Sequence, residues 1–576
     1  MPDPDLLPRL AEAALAAGRA DIAGDILRAA EPPPADSHAD GLRLLVANRP
    51  AEAERLLRLA VRVKPTDADR HDHLGVCLAQ QGRLAEARAT FRLAVRLDPT
   101  NAAAVEHLVQ ACLDAGDPAD AEVVLSATPS AAGWRQVGLT HAAAGRFADA
   151  VRCLTEHVRL TPTAEGFANL AAACGKLKRW EDAVAAGRRA VELDPSQAAG
   201  WSNLGNAYRD LGRLPEAVDA LTRGTRADPQ NPDNFANLAL TLTMLGRTAE
   251  ALPVYDRAVR LQPNNPEVRF NRAVARLWAG DWAGGWPEYE WRWRTEQMAK
   301  ARRPFPVPEW DGSPVAGKTV LVHSEQGVGD TFQFLRLVPV LAAAGATVLL
   351  DLPPAVRLLA RSLGVGTVLD GEAVRAAIHL HCPLMGLPLR LRLTDPDAVP
   401  GAVPYLTAPP DRAAHWARRL ADLAGLKVGV VWQGNPTHVG DRWRSVPLAR
   451  FAPLAKPGVT LVSLQKGAGH AQLADAPVPV VDLGAELADD WADTAGLIAA
   501  LDLLVSIDTA AVHLAGALGR PAWVLLPLNA DWRWRQNRDD SPWYPSLRLF
   551  RQERFGDWGP VFDRAAAELA TRVGGH

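Results

Sequence analysis

The sequence predicts an α-helical solenoid followed by two Rossmann-like α/β domains, and three observations carry that expectation. Prolines and glycines recur at a step of 34 residues through much of the first half. After about residue 318, short apolar runs alternate with helical patterns, which is the rhythm of a parallel sheet. Two of those runs lead into polar turns, "SEQGVGDTF" and "SIDTAAVH", placed where α/β domains bind ligands.

The repeats come first. Pro65 and Pro99 close similar helices, as do Pro195, Pro229 and Pro263, while Gly82, Gly116, Gly212, Gly246 and Gly280 keep the same step around a shortened repeat at Gly145. A 34-residue period with a glycine between paired helices is the tetratricopeptide signature. The stretch "WSNLGNAYRDLGRLPEAVDALTRGTRADP" holds most of its pattern in Trp201, Leu204, Gly205, Tyr208, Ala217 and Pro229. Each pair buries its apolar stripe against its neighbours, so residues 1–295 are expected to form a curved array with a concave face.

Nine residues before each turn position, the first helix of the pair carries His73, His107, Gln136, Asn169, Asn203, Asn237 and Asn271. A solvated helix position accounts for polarity, but it would also accept Lys, Glu or Arg, and none occurs. Asparagine offers both a donor and an acceptor. Asn169, Asn203, Asn237 and Asn271 are therefore read as a ladder that grips an extended peptide backbone.

Residues 296–317 form a connector rich in Pro and Trp. The α/β half then divides into domains at 318–405 and 406–576, with strands expected at "TVLVHS", "TVLLDL", "GTVLD", "AIHLHC", "KVGVVWQGN", "VTLVSLQKG", "LDLLVSID" and "PAWVLLPL". Gly327 and Gly329 make a tight strand-to-helix turn, but the third glycine of a dinucleotide fingerprint and the Gly-x-x-x-x-Gly-Lys of a P-loop are missing. Asp330 opens the next helix, where it caps the helix or faces a ligand. Asp508 and Thr509 stand at the mouth of the second sheet, suited to a sugar or ribose hydroxyl and to a phosphate oxygen, with His513 able to face the same cleft. Asn435, His438, Arg442, Arg444, Gln465 and Lys466 follow the preceding strands of that sheet. Amides and cations converging on one strand end suit a nucleoside diphosphate. Helix capping by Asp508 and a satisfied core histidine at 513 are the plainer alternatives.

Composition narrows the classes. The 576 residues are 48% hydrophobic and 22% charged with a net charge of −3, so no global field favours nucleic acid or an anionic membrane. Cys77, Cys112, Cys153, Cys174 and Cys382 form no Cys-x-x-Cys pair and are read as buried free thiols. There is no signal-like start or membrane-length apolar run, so a cytoplasmic protein is expected. Asp395 and Asp397 in "LTDPDAVP" are read as a turn, leaving no metal site.

The residues also carry a resemblance. "GVGDTFQFLRLVP" resembles the amino-terminal Gly-Asp motif of ADP-heptose lipopolysaccharide heptosyltransferases, and "DTAAVHLAGALGRP" resembles their Asp-Thr-Gly-x-x-His donor motif, with Ala510 in place of the glycine. The repeats resemble those of protein O-GlcNAc transferases, whose asparagine ladder binds the acceptor polypeptide. The whole chain is similar to bacterial tetratricopeptide glycosyltransferases, including those that modify flagellin. The resemblance implies a metal-independent GT-B glycosyltransferase without cofactor, in which Asp330 is the catalytic base and Asp508, Thr509, Ala510 and His513 bind a nucleotide-sugar donor. The implied acceptor is a Ser or Thr hydroxyl of a protein held by the repeats. Lys466, Arg442 or Arg444 would meet the leaving-group charge. A heptosyltransferase-like enzyme acting on a lipid-linked glycan, and a noncatalytic scaffold, remain as alternatives.

Overall fold

A computed structural model of the chain describes residue 19 and residues 36–370, 378–438 and 440–574. It divides into two compact units, the first ending at Ala207 and the second beginning at Tyr208.

The first unit is a series of helical hairpins, from Ser37–Val46 and Pro50–Val63 to Ala164–Lys176 and Trp180–Leu193. Side chains of Asp67, Asn101, Asp117, Ser130 and Thr163 accept from backbone N–H groups one turn on and cap the helices they precede, filling donors that a helix start otherwise leaves open. Fully buried small residues Ala53, Ala87, Ala121 and Ala150 let the paired helices approach closely. The turn glycines Gly82, Gly116 and Gly145 have φ between 72° and 75°, a left-handed conformation that glycine adopts without steric cost. In the pair that follows, Lys178 takes that place at φ 60°, which is why no glycine marks the turn there.

The second unit continues the hairpins with Leu214–Ala227, Pro232–Met244, Thr248–Leu261 and Pro266–Ala279, then adds two parallel sheets. The first holds β1 (Thr319–His323), β2 (Thr347–Asp351), β3 (Thr367–Val368) and β4 (Leu380–Pro383) in the order β3-β2-β1-β4. The second holds β5 (Leu426–Val431), β6 (Val459–Ser463), β7 (Val481–Asp482), β8 (Leu503–Ile507), β9 (Ala522–Leu526) and β10 (Leu547–Arg551) in the order β10-β9-β8-β5-β6-β7. That is the doubly wound order, which reverses direction between β5 and β8 and opens a crevice at their carboxyl ends. Eight strands lie where the apolar runs place them. The two missed, β7 and β10, are a two-residue strand and one inside a Trp- and Arg-rich tail whose charges break the apolar run.

The last hairpin does not stand apart from the sheets. Leu277, Trp278, Trp282 and Trp286 share one hydrophobic core with Val320, Phe334, Trp532 and Trp543. The Trp286 ring meets Trp532 edge-on at 5.2 Å and Phe334 at 6.4 Å, the preferred aromatic arrangement. Among the described residues no helix is long and apolar enough to cross a membrane, and all five cysteines are buried and unpaired.

Candidate functional site

The turn after β1 feeds the helix Val328–Leu335. Gly327 N–H donates to Asp330 Oδ2 at 2.9 Å, so Asp330 does cap its helix. Its other oxygen accepts from Arg533, which stands 203 residues further along the chain. The Arg533 guanidinium also donates to Gln333, pairs with Asp531 at 2.8 Å, and lies over the Trp532 ring at 5.0 Å. Burial alone would make Arg533 easier to deprotonate, but Asp531 and Asp330 outweigh it and hold its proton more tightly than usual. Burial, with Asp508 acting in the same direction, keeps Asp531 above its ordinary range despite Arg533. In the same turn, Glu325 accepts from the fully buried Arg292 at 3.0 Å, and burial pushes its carboxyl up to about 7.

Across from it, β8 ends at Ile507 and leads through Asp508 and Thr509 into the helix Ala510–Ala517. The His513 Nδ1 is 3.0 Å from the Tyr544 hydroxyl, its Nε2 is 3.7 Å from Asp508 Oδ1, and its ring stacks on Trp534 at 5.2 Å. Burial pushes the Asp508 carboxyl up, but His513 and the Arg444 guanidinium more than offset this and leave it below its ordinary range. Thr509 Oγ1 lies 3.1 Å from Ser506 Oγ and makes no side-chain cap.

Gly329 explains how the two motif helices meet. A Cβ there would stand 2.9 Å from His513 Cδ2, closer than packed carbons tolerate, and in contact with Ala510 Cα at 3.4 Å. Gly329 thus serves contact with the second motif, and neither it nor Gly327 has the positive φ that a glycine turn would need.

The structure therefore gathers Asp330, Asp508, Ala510 and His513, with Arg444 on the Asp508 side, and it gives the other expected residues internal partners. Lys466 Nζ is taken up by Leu487 O, Ala488 O and Asp489 Oδ1 at 2.8–3.0 Å, because the loop after β7 offers nearer acceptors than the crevice. Arg442 pairs with Asp210 at 2.8 Å at the end of the helix Ala198–Asp210. The Gln465 amide is spent on the loop backbone, accepting from Trp432 N and Gln433 N and donating to Gln433 O and Ala468 O. Asn435 accepts from Thr437 N at 3.0 Å and His438 from Gly440 N at 3.1 Å, both in an exposed turn. Asp395 accepts from Asp397 N, and Asp397 pairs with Arg535 and Arg538, as a turn does. Arg533, Trp534 and Tyr544 went unread in the sequence. For Arg533 and Trp534 the one signal is the Trp-Arg alternation of "DWRWR", which looks like an ordinary amphipathic tail until Asp330 is seen against it.

On the repeats, Asn169, Asn203, Asn237 and Asn271 are all half-buried on the first helices of their pairs. Asn203 donates to Ala168 O at 2.9 Å and Asn237 accepts from Arg209 at 3.1 Å, so these two rungs already have one internal bond each. Asn234 is the buried amide of its helix and donates to Gly224 O at 3.2 Å.

Tetratricopeptide repeat profiles match residues 38–102, 136–198, 176–232, 202–266 and 236–285, and a second repeat profile covers 78–133. Residues 38–285 are tetratricopeptide repeats. Protein FlbA of Caulobacter vibrioides is 30% identical over 329 residues, covering 52% of this chain and 54% of that protein, so the chain spans about half the length of this relative. Solved structures similar to the repeats include the tetratricopeptide protein TTC0263 of Thermus thermophilus, at 22% identity and a TM-score of 0.27, covering 29% of this chain and 92% of that one. Another is the C-terminal part of a repeat protein from Cytophaga hutchinsonii, at 15% identity and a TM-score of 0.33, covering 40% and 98%. YrrB, described as having an unusual peptide-binding site, matches at 20% identity and a TM-score of 0.26, covering 37% and 95%.

Proposed function

We propose that the chain is a GT-B glycosyltransferase that moves a sugar from a nucleotide-sugar donor to a Ser or Thr hydroxyl of a protein bound by the repeats. One observation supports this above the others: Gly329 and Asp330 of the first sheet lie against Ala510, His513 and Arg533 of the second, beside the point where the second sheet reverses its order. In this reading Asp330 takes the acceptor proton as general base. The diphosphate sits at the start of the helix Ala510–Ala517, whose backbone N–H groups and dipole favour an anion, with Arg444 nearby. The acceptor is a protein, flagellin among the candidates, because tetratricopeptide repeats suit protein binding. A second reading, a noncatalytic interaction scaffold, draws on the same repeats and on the spent charges of Lys466 and Arg442.

The test incubates the full chain with a panel of nucleotide sugars and a cell extract, reading nucleoside diphosphate release and mass gain on proteins. Sugar transfer to protein is expected, and Asp330→Asn should lower it by about 10²–10⁴-fold, the usual worth of a general base. No release with any donor favours the scaffold. Sugar on a lipid-linked glycan instead of protein favours the heptosyltransferase-like alternative.

A further inference from the structure

Two of the cations expected to meet a leaving diphosphate face other partners. The guanidinium that does lie between the two sheets, Arg533, is 8% exposed. Its fork joins Asp330, which follows β1, to Asp531, which follows β9. The chain around it is strained: Arg535, two residues on, has φ 49° and ψ −173°, a region almost reserved for glycine. Arg535 is held there by Asp397 at 2.6 Å and by Arg551, which donates to its carbonyl. Strain at a non-glycine residue persists where the surroundings impose it, and it clusters at ligand clamps. A planar guanidinium matches phosphate as well as it matches carboxylate. As long as it sits on Asp330, it occupies the oxygen that Gly327 leaves open.

We propose that Arg533 exchanges partners during the reaction. In the structure it holds Asp330; when a nucleoside diphosphate sugar binds, it turns its fork to the diphosphate and releases Asp330. This rests on the glycosyltransferase reading above. In the transfer, the acceptor hydroxyl oxygen bonds to the anomeric carbon while the bond from that carbon to the diphosphate oxygen breaks. The electron pair stays on the diphosphate, where Arg533 meets the charge, and the hydroxyl proton goes to Asp330. One ligand thereby neutralises its own leaving group and unmasks the base, so the base is free only in the donor complex.

The exchange predicts opposite signs for the two halves of the pair. Calorimetry of the full chain in EDTA with UDP, GDP, ADP and CDP measures it on wild type, Arg533→Met, Arg533→Lys, Asp330→Asn and the Asp330→Asn/Arg533→Met double variant. For whichever diphosphate binds wild type, Arg533→Met should weaken binding at least tenfold and Arg533→Lys should recover part of it. Asp330→Asn, which removes the competitor but keeps an oxygen for Gly327 N–H, should tighten binding about three- to tenfold. The double variant should behave as Arg533→Met. A structural ion pair would leave affinity unchanged in both single variants, and that result, or weakening in Arg533→Met without tightening in Asp330→Asn, overturns the exchange. If Arg533→Met fails to fold by circular dichroism, Asp330→Asn and Arg533→Lys decide alone. Wild type binding none of the four overturns the glycosyltransferase reading itself.

Discussion

The asparagine row of the repeats and the cluster around Asp330 differ in how much of their hydrogen-bonding capacity the protein has already used. Asn203 and Asn237 each hold one internal bond and stay half-buried. Asp330, Arg533 and His513 are each engaged twice or more, by a near neighbour in the chain and by a group from further away. A surface that reads any peptide backbone needs spare donors and acceptors at regular intervals, with little preorganisation. A crevice that meets developing charge needs its dipoles fixed beforehand, so that no reorganisation is spent during the reaction. The two regions are polar for different reasons, and separate changes should expose them.

The largest effect on affinity or stability is expected on the repeats. Replacing Asn169, Asn203, Asn237 and Asn271 together by Ala removes bonds worth about 0.5–1.5 kcal/mol each from helices that tolerate alanine well. Because Asn203 and Asn237 already spend part of their capacity internally, the loss in protein-acceptor affinity should be about 2–3 kcal/mol, roughly 30- to 150-fold at 1.4 kcal/mol per decade. Nucleoside diphosphate binding should be unchanged. Acceptor titrations monitored by donor turnover measure this, and equal titrations would return the row to ordinary solvated helix positions.

The two regions also differed in legibility. Repeats announce themselves because one structural demand recurs: the glycine at Gly82 is needed again at Gly116, Gly212 and Gly246, and each copy reinforces the reading. Lys178 shows the limit, since its left-handed turn follows from neighbouring repeats and not from its own residue type. In the α/β half, the strands were legible from apolar runs and the Asp330 and Asp508 turns from their place after strands. Which cations face the crevice was not legible. Lys466, Arg442 and Arg533 are all long side chains near strand ends, and each is held by a carboxylate brought from another element. That choice depends on which loop lies opposite, and long-range topology, not local sequence, decides it.

A smaller effect tests whether the two motifs depend on one another. Gly329→Ala puts a methyl against His513 Cδ2, and the ring is clamped by Tyr544 and Trp534, so it has little room to yield. Overpacking of this kind costs about 1–2 kcal/mol, within the usual range for an added methyl. Thermal unfolding should show that loss, and nucleoside diphosphate binding should weaken with it because the helix Ala510–Ala517 is displaced. Gly327→Ala is the control: its Cβ meets only Asp330 Oδ2, at 3.2 Å. Equal stability in the two variants would mean that the motifs do not need their close approach.

The smallest effect sharpens a contrast between the two sheets. Where the second sheet opens on a crevice, the connector packs onto β1 and β4 of the first: Phe305 lies 4.5 Å from both His323 and His381, and His323 Nε2 is 3.2 Å from His381 Nδ1. Burial, then the charge of Arg303 and the His381 ring, holds His323 far below its ordinary 6.5, at about 3. The sign follows from proton counts. Between those two values the unfolded chain binds a proton that the folded chain refuses, so the contribution is complete above pH 6.5 and is lost as the pH falls toward 3. Over the first step, from pH 7.5 to 6, the loss is under about 1 kcal/mol. Thermal midpoints of wild type and His323→Asn at those two pH values measure it. The variant should be less stable at pH 7.5 but fall less on acidification. Equal falls would mean that His323 protonates in place, and that the connector packed onto β1 and β4 opens to water.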